Sequence, residues 1–263
     1  WYQDWYGGEP HHKSTLKEGL EKLLNTKIRC VDGWDRITLR AGDQYVAVQE
    51  DGTLCLSDKA DLFVKEDWGD GRINLRCERT GKYVTTISKG RRQSEEEDGA
   101  LVAVKDAAFD WFVTAIFHII SAENGAVRLT NRFDQPIQIS KDKKLYSALT
   151  GEGSSFLMET VVNGFEEVQR LMQCAKTVIL ALGCHPMVNA KEEIDRTTLA
   201  LPPHQEKLAK MICKIKPDAI CVLFSNYPYT IHSVQNTLPA IVWSATGSQD
   251  MGTAMAQTLY GKN

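Results

Sequence analysis

Several features that would narrow the field at once are missing. No apolar run approaches the roughly 18 residues that a membrane-spanning helix needs. Residues 1–13 are polar and aromatic rather than a basic stretch followed by an apolar one, so no secretory signal peptide is expected. Charge of one sign is lacking too. The chain carries 31 Lys+Arg against 34 Asp+Glu, a net charge of -3, and such a balance favours neither nucleic acid nor an anionic membrane surface. The seven cysteines are odd in number and include no C-x-x-C pair. That usage suits buried thiols in a reducing, cytoplasmic compartment better than a disulfide framework. No phosphate loop is complete: Gly151-Glu152-Gly153-Ser154 leads into no helix and has no lysine placed to meet a phosphate. His11-His12 stands without carboxylates or thiols at ligand spacing, so neither a metal nor another cofactor is expected.

What is present can fill real cores. With 263 residues, 43% of them hydrophobic, the chain is long enough for one large domain or two ordinary ones. Its texture changes twice. Thr15-Leu16-Lys17-Glu18 reads as a capping box, and Leu16, Leu20, Leu23 and Leu24 follow at helical spacing. A short strand is expected at 27–31. One helix and one strand cannot bury their own apolar faces, so this segment needs a partner later in the chain.

From about residue 34 to 162 no amphipathic pattern occurs, and short alternating runs recur between turn signals. They fall into three similar phrases. Ile37-Thr38-Leu39-Arg40 leads to Tyr45-Val46-Ala47-Val48. Ile73-Asn74-Leu75-Arg76 leads to Gly81-Lys82-Tyr83-Val84, and Val127-Arg128-Leu129-Thr130 to Pro136-Ile137-Gln138-Ile139. Each phrase closes on an aromatic strand, holding Phe63, Trp111-Phe112 (in a strand expected at 111–116) or Phe156. Three copies of about four strands resemble a β-trefoil, with phrasing similar to the fascin type.

From Gly164 onward helix and strand alternate. Phe165, Val168, Leu171 and Met172 mark one helix face, and apolar strands are expected at 177–183, 219–224 and 240–243. Pro203 suits the first turn of a helix, and Met251, Ala254, Met255 and Leu259 line another that Gly261 can end. Successive βα units mean a parallel sheet with right-handed crossovers, and ligands bind beyond the carboxyl ends of its strands. The loop after 177–183 is therefore the place to look for chemistry. It reads Cys184-His185-Pro186-Met187-Val188-Asn189-Ala190-Lys191-Glu192-Glu193-Ile194-Asp195-Arg196, then Thr197-Thr198-Leu199-Ala200-Leu201-Pro202. On residue chemistry alone it is as readily a solvated charged loop as a site.

These residues resemble the second domain of family 3 glycoside hydrolases. There a strand ends in Gly, a loop holds Glu three residues before Asp-Arg, and Leu-x-Leu-Pro opens a helix. Glu192 through Pro202 is similar throughout, with Ala190 and Lys191 standing where many members have Gly and Arg. Asp4-Trp5-Tyr6-Gly7-Gly8 with the helix after Thr15 resembles that domain's start. Ala240-Ile241-Val242-Trp243 and the helix ending near Gly261 resemble its end.

The resemblance implies an α/β parallel-sheet sandwich with its first strand truncated, formed by residues 1–32 and 163–263, plus an all-β β-trefoil inserted at 33–162. It implies a fragment of a retaining β-glucosidase or β-xylosidase acting on a β-linked glycoside or oligosaccharide. The nucleophile would come from a (β/α)8 barrel not found in this sequence, so the fragment alone would be inactive. Glu192 would be the catalytic acid/base, and Asp195 and Arg196 would hold the loop as an ion pair. His185 could line the sugar pocket or merely pack. Two other readings stand beside this one. The β-trefoil could be the working part, a carbohydrate- or protein-binding module, or it could be a spacer that sets the assembly of a homo-oligomer or guards the site.

Overall fold

The structure, a computed structural model, describes residues 10–87, 99–191, 196–247 and 249–262. The chain divides into two compact units. One holds 1–32, 168–186 and 190–263, and the other holds 33–167 with 187–189.

The first unit begins with α1 (Leu16–Leu24). Its capping box is closed on both sides: Thr15 N–H donates to Glu18 Oε2 at 2.8 Å, and Glu18 N–H donates to Thr15 Oγ1 at 3.1 Å. Asn25 ends the helix in the left-handed region. The expected strand at 27–31 does not form; those residues make no ladder and are mostly exposed. A lone extended segment has no stability without a neighbour to take its N–H and C=O groups.

Among its described residues the second unit contains twelve strands in three sets of four. The first set is β1 (Asp35–Ala41), β2 (Gln44–Val48), β3 (Leu54–Ser57) and β4 (Phe63–Gly69). The second is β5 (Arg72–Cys77), β6 (Tyr83–Thr86), β7 (Gly99–Lys105) and β8 (Phe117–Ser121). The third is β9 (Val127–Asn131), β10 (Ile137–Ile139), β11 (Leu145–Ser147) and β12 (Ser155–Val162). The first and last strands of each set pair in the cyclic order β1, β4, β5, β8, β9, β12 and back to β1, every pairing antiparallel. Six strands thus close into a barrel and leave no open edge within it. The middle strands of each set run together as β2–β3, β6–β7 and β10–β11.

Equivalent positions fill one core: Ile37, Ile73 and Leu129 from the opening strands, and Val46, Val84 and Ile137 from the second strands. Phe63, Phe117 and Phe156, each 0% exposed, come from the closing strands. The segment expected as a strand at 111–116 is instead a turn, and the aromatic equivalent to Phe63 and Phe156 is Phe117 rather than Trp111-Phe112. The two ends of this unit meet. Gly164 N–H donates to Asp35 Oδ1 at 3.0 Å, and a methyl at Gly164 would lie 2.1 Å from the Gly33 carbonyl oxygen.

The chain resumes with α2 (Gly164–Cys174), β13 (Ile179–Gly183), α3 (Pro203–Ile215), β14 (Ile220–Phe224), β15 (Ala240–Ser244) and α4 (Met251–Leu259). The strands form a parallel sheet in the order β13-β14-β15, in continuous register from Ile179↔Ile220↔Ala240 to Gly183↔Phe224↔Ser244. This corrects the expected fold class. Among the described residues, twelve of the fifteen strands belong to the antiparallel sheet and only three to the parallel one. The chain is therefore mostly antiparallel β and is not an α/β parallel-sheet sandwich. The physical reason is supply: among the described residues three strands have parallel partners, and the segment 27–31 adds no fourth.

Helices α1 and α4 cross with almost no room. A methyl on Gly19 would sit 2.4 Å from the Gly252 oxygen, and one on Gly252 would sit 2.2 Å from Thr15 backbone atoms. Ser14 N–H donates to Gln249 O and Gly252 N–H to Ser14 O, tying the backbones together. Gly252→Ala is therefore expected to lower the stability of this unit by about 1–3 kcal/mol, because the obstacle is backbone and cannot rotate away. Urea unfolding read at α1 amides by hydrogen exchange checks this, and an unchanged midpoint would contradict the close crossing.

Candidate functional site

The carboxyl ends of β13 and β14 carry the polar groups that the parallel sheet collects. At β13 the chain stops at Gly183, where Gln205 of α3 takes the place of a neighbouring strand. Its Nε2 donates to Gly183 O at 2.8 Å, and its Oε1 accepts from Gly183 N–H at 3.0 Å. Only glycine fits, since a methyl there would be 2.0 Å from the Phe224 carbonyl oxygen. Next come Cys184 and His185, both 4% exposed. After β14, Ser225 folds the chain back: its Oγ donates to Tyr227 O at 2.7 Å and accepts from Tyr227 N–H at 3.0 Å, and Cys184 Sγ lies 3.7 Å from it.

The long loop after β13 is fastened at its far end to this second turn. The Arg196 guanidinium stacks over the Tyr229 ring at 4.4 Å and over Tyr227 at 5.6 Å, and donates to the Pro228 carbonyl at 3.1 Å. A planar, weakly hydrated cation on aromatic faces is favourable, by about 0.5–2 kcal/mol per contact. Thr230 N–H donates to Leu199 O at 2.8 Å, and Ala200 bridges Thr230 in parallel fashion. Burial pushes the Tyr229 hydroxyl pKa up, so it stays a neutral phenol.

Sequence reasoning singled out four residues here. His185 lies at the foot of the loop. Arg196 lies at its far end, held by aromatic rings and a carbonyl. Glu192 and Asp195 fall outside the described residues, as does Glu193, so the ion pair expected between Asp195 and Arg196 lies outside them as well. Gln205, Ser225, Tyr227 and Tyr229 were not anticipated. The Tyr-Pro-Tyr sequence directly after an apolar strand was the available signal.

Burial pushes the His185 imidazole down to about 3 from an ordinary value near 6.5. The unfolded chain takes up this proton below pH 6.5, whereas the folded chain takes it up only near pH 3. Stability contributed by neutral His185 is thus complete above pH 6.5 and lost as pH falls from 6.5 towards 3. The slope should be at most about 1.4 kcal/mol per pH unit. His185→Gln is expected to remove that proton's share from the stability–pH curve, measured by urea unfolding at several pH values. Equal slopes in both proteins would show that the imidazole is not buried neutral.

Among the described residues no group of three or more His, Cys, Asp or Glu side chains could hold a metal ion. His12 Nε2 meets Asp250 Oδ1 at 2.8 Å on an exposed surface.

Among solved structures the chain is similar to a designed 3-fold symmetric protein, ThreeFoil. The identity is 12%, the match spans 49% of this chain and 100% of that one, and the TM-score is 0.39, too low to carry an argument. The family described as "Glycosyl hydrolase family 3 C-terminal domain" matches residues 2–263, nearly the whole chain. A match of that extent covers the strand ending at Gly183 and the loop anchored by Arg196 along with the rest: this chain belongs to the glycosyl hydrolase family 3 C-terminal domain.

Proposed function

We propose that the chain is the part of a retaining β-glycosidase, of the β-glucosidase or β-xylosidase type, that supplies the general acid/base, and that Glu192 is that residue. The observation that carries this reading is the anchorage of the loop. The stretch Glu192-Glu193-Ile194-Asp195-Arg196 follows the carboxyl end of a parallel strand, where α/β sheets bind ligands. Its last residue is clamped on Tyr229 and Pro228. A catalytic carboxylate needs such a support to stay in position.

Retaining hydrolysis uses two carboxyl groups about 5–5.5 Å apart. In this proposal the nucleophilic carboxylate belongs to a (β/α)8 barrel outside this chain, and the substrate is a β-linked glycoside. Glu192 first gives its proton to the leaving glycosidic oxygen while the nucleophile attacks the anomeric carbon. It then takes a proton from the water that hydrolyses the glycosyl-enzyme. The nucleophile's negative charge, or burial, would hold the Glu192 pKa high enough for it to act as an acid. His185, buried at 4% exposure, enters as a packing group under the loop rather than as a sugar contact. We read the unit of three four-strand sets as a β-trefoil set into the family domain. Its closed six-strand ring and the meeting of its ends at Gly33 and Gly164 support that reading.

The test is Glu192→Ala in the full-length enzyme, assayed on an unactivated and an activated glycoside. Glycoside hydrolysis by the 263-residue chain alone would overturn the division of labour.

A further inference from the structure

The threefold repetition of the β unit supplies an internal control, because what the barrel needs should appear three times. The connections into the closing strands differ. They run 58–62 before β4 and 148–154 before β12, but 106–116 before β8. The longer connection carries Phe109, Trp111 and Phe112, although Phe117 already fills the core position shared with Phe63 and Phe156. Trp111 is 53% exposed. An indole that the core does not require, held at the surface by an extended loop, is a feature of this one connection and not of the fold.

The loop is built to hold its shape. Val113 sits at φ +50 and is completely buried, and a β-branched residue in the left-handed region persists only where its surroundings impose it. Here Val113 N–H donates to Asp110 O at 3.2 Å, Thr114 Oγ1 donates to Asp110 Oδ2 at 2.9 Å, and Lys105 pairs with the same carboxylate. Asn74, itself buried, donates to Ala115 O at 2.8 Å. A second loop, between β9 and β10, meets the first. Phe133 packs edge-on to Phe112 at 6.2 Å, Arg132 lies 5.7 Å over Phe133, and Arg132 Nη1 donates to Phe112 O. Asn131 Oδ1 fixes this loop by accepting from the N–H groups of Phe133 and Gln135. Next to Phe133 stands Asp134, 86% exposed, with His118 Nδ1 3.5 Å from its carboxylate.

We propose that these two loops form a sugar-binding platform, with Trp111 as the stacking surface and Asp134 as the hydroxyl acceptor, for a gluco- or xylo-configured β-linked oligosaccharide. Pyranose rings of that configuration have flat faces of axial C–H groups, whose partial positive charge matches the negative face of an indole. Their equatorial hydroxyls point outward in the ring plane, where a rim carboxylate and imidazole can accept or donate. The choice of this ligand class rests on the β-glucosidase or β-xylosidase reading proposed above, while the stacking surface itself rests on the two loops. The platform uses no residue of the loop that holds Glu192, and its occupancy requires no turnover.

The experiment titrates cellotetraose and xylotetraose separately into the 263-residue chain, followed by calorimetry. Sugar is taken to about 10 mM, where a site of even ~1 mM affinity is mostly filled. At least one of the two sugars is expected to bind, and Trp111→Ala is expected to weaken binding about tenfold or more. Trp111→Phe should retain part of the affinity. Trp243→Ala, which removes an indole 61% exposed on β15, should leave it unchanged. No binding of either sugar, or binding unaffected by Trp111→Ala, overturns the proposal. If Trp111→Ala fails to fold, Asp134→Asn decides. Asparagine tolerates the positive φ found there, so an unchanged affinity would refute the platform and a several-fold loss would uphold it. The role of Glu192 is read by hydrolysis in the full-length enzyme, so either idea can fail alone.

Discussion

Exchange of Glu192 for alanine in the full-length enzyme is expected to slow hydrolysis of glycosides with poor leaving groups by about 10²–10⁴-fold, the usual contribution of general acid–base catalysis. The loss should depend on the leaving group. An alkoxide leaves slowly unless a proton arrives as the bond breaks, whereas an activated aryl oxide needs little protonation, so aryl substrates should be spared in the first step. Their slow step then becomes hydrolysis of the glycosyl-enzyme, which lacks its base. Added azide should restore part of the turnover and divert product to the glycosyl azide with retained configuration, because a small anion attacks without base assistance. Glu193→Ala is the control and should cost much less. A crippled Glu193→Ala beside a normal Glu192→Ala on unactivated substrates would transfer the role to Glu193.

The second large effect concerns the barrel core. Phe63→Ala, Phe117→Ala and Phe156→Ala are each expected to destabilise the β unit by about 3–5 kcal/mol, the cost of deleting a fully buried aromatic ring and leaving a cavity. All three rings are 0% exposed and occupy equivalent places in a closed ring of strands, so their costs should be alike. Urea unfolding monitored through the Trp34–Trp68 pair, which lies in the same unit with ring centroids 5.6 Å apart, reports the relevant transition. A loss below about 1 kcal/mol at Phe117, with full losses at the other two, would restore Trp111-Phe112 as the core aromatics and remove the ground for treating Trp111 as an addition to the fold.

That substitution bears on what can be read from a repeat. The opening strands of all three sets were recognisable because alternation with Gly and Asn turns is local chemistry. Phe117 was passed over because the adjacent Trp111-Phe112 pair is the stronger aromatic signal, and alternation cannot say which aromatic residue the closing strand turns inward. The strand expected at 27–31 failed for a related reason. Its apolar alternation is suitable for a strand, but a strand exists only where another offers its backbone. At the site, Gly183 and the long loop were legible as the end of a parallel strand and the connection leaving it. Gln205 was not, since a side chain replacing a strand's hydrogen bonds leaves no periodic trace. Asp195, the expected partner of Arg196, lies outside the described residues. Those described also place the guanidinium on Tyr229 and Tyr227, some thirty residues further along the chain, a contact that sequence spacing does not show.

By itself the sequence determined the local features: the capping box at Thr15, the helix beginning at Pro203, the apolar parallel strands, the threefold phrasing between residues 34 and 162, and the stretch Glu192 to Pro202 that carries the family resemblance. These depend on near neighbours, and near neighbours are written side by side. Only the tertiary structure decided that the antiparallel sheet dominates the chain, that six of its strands close on themselves, that Gly19 and Gly252 let two helices touch, and that Trp111 faces outward. Each of those rests on groups far apart in sequence competing for the same space or the same hydrogen bond, and that competition is resolved only when the chain is packed.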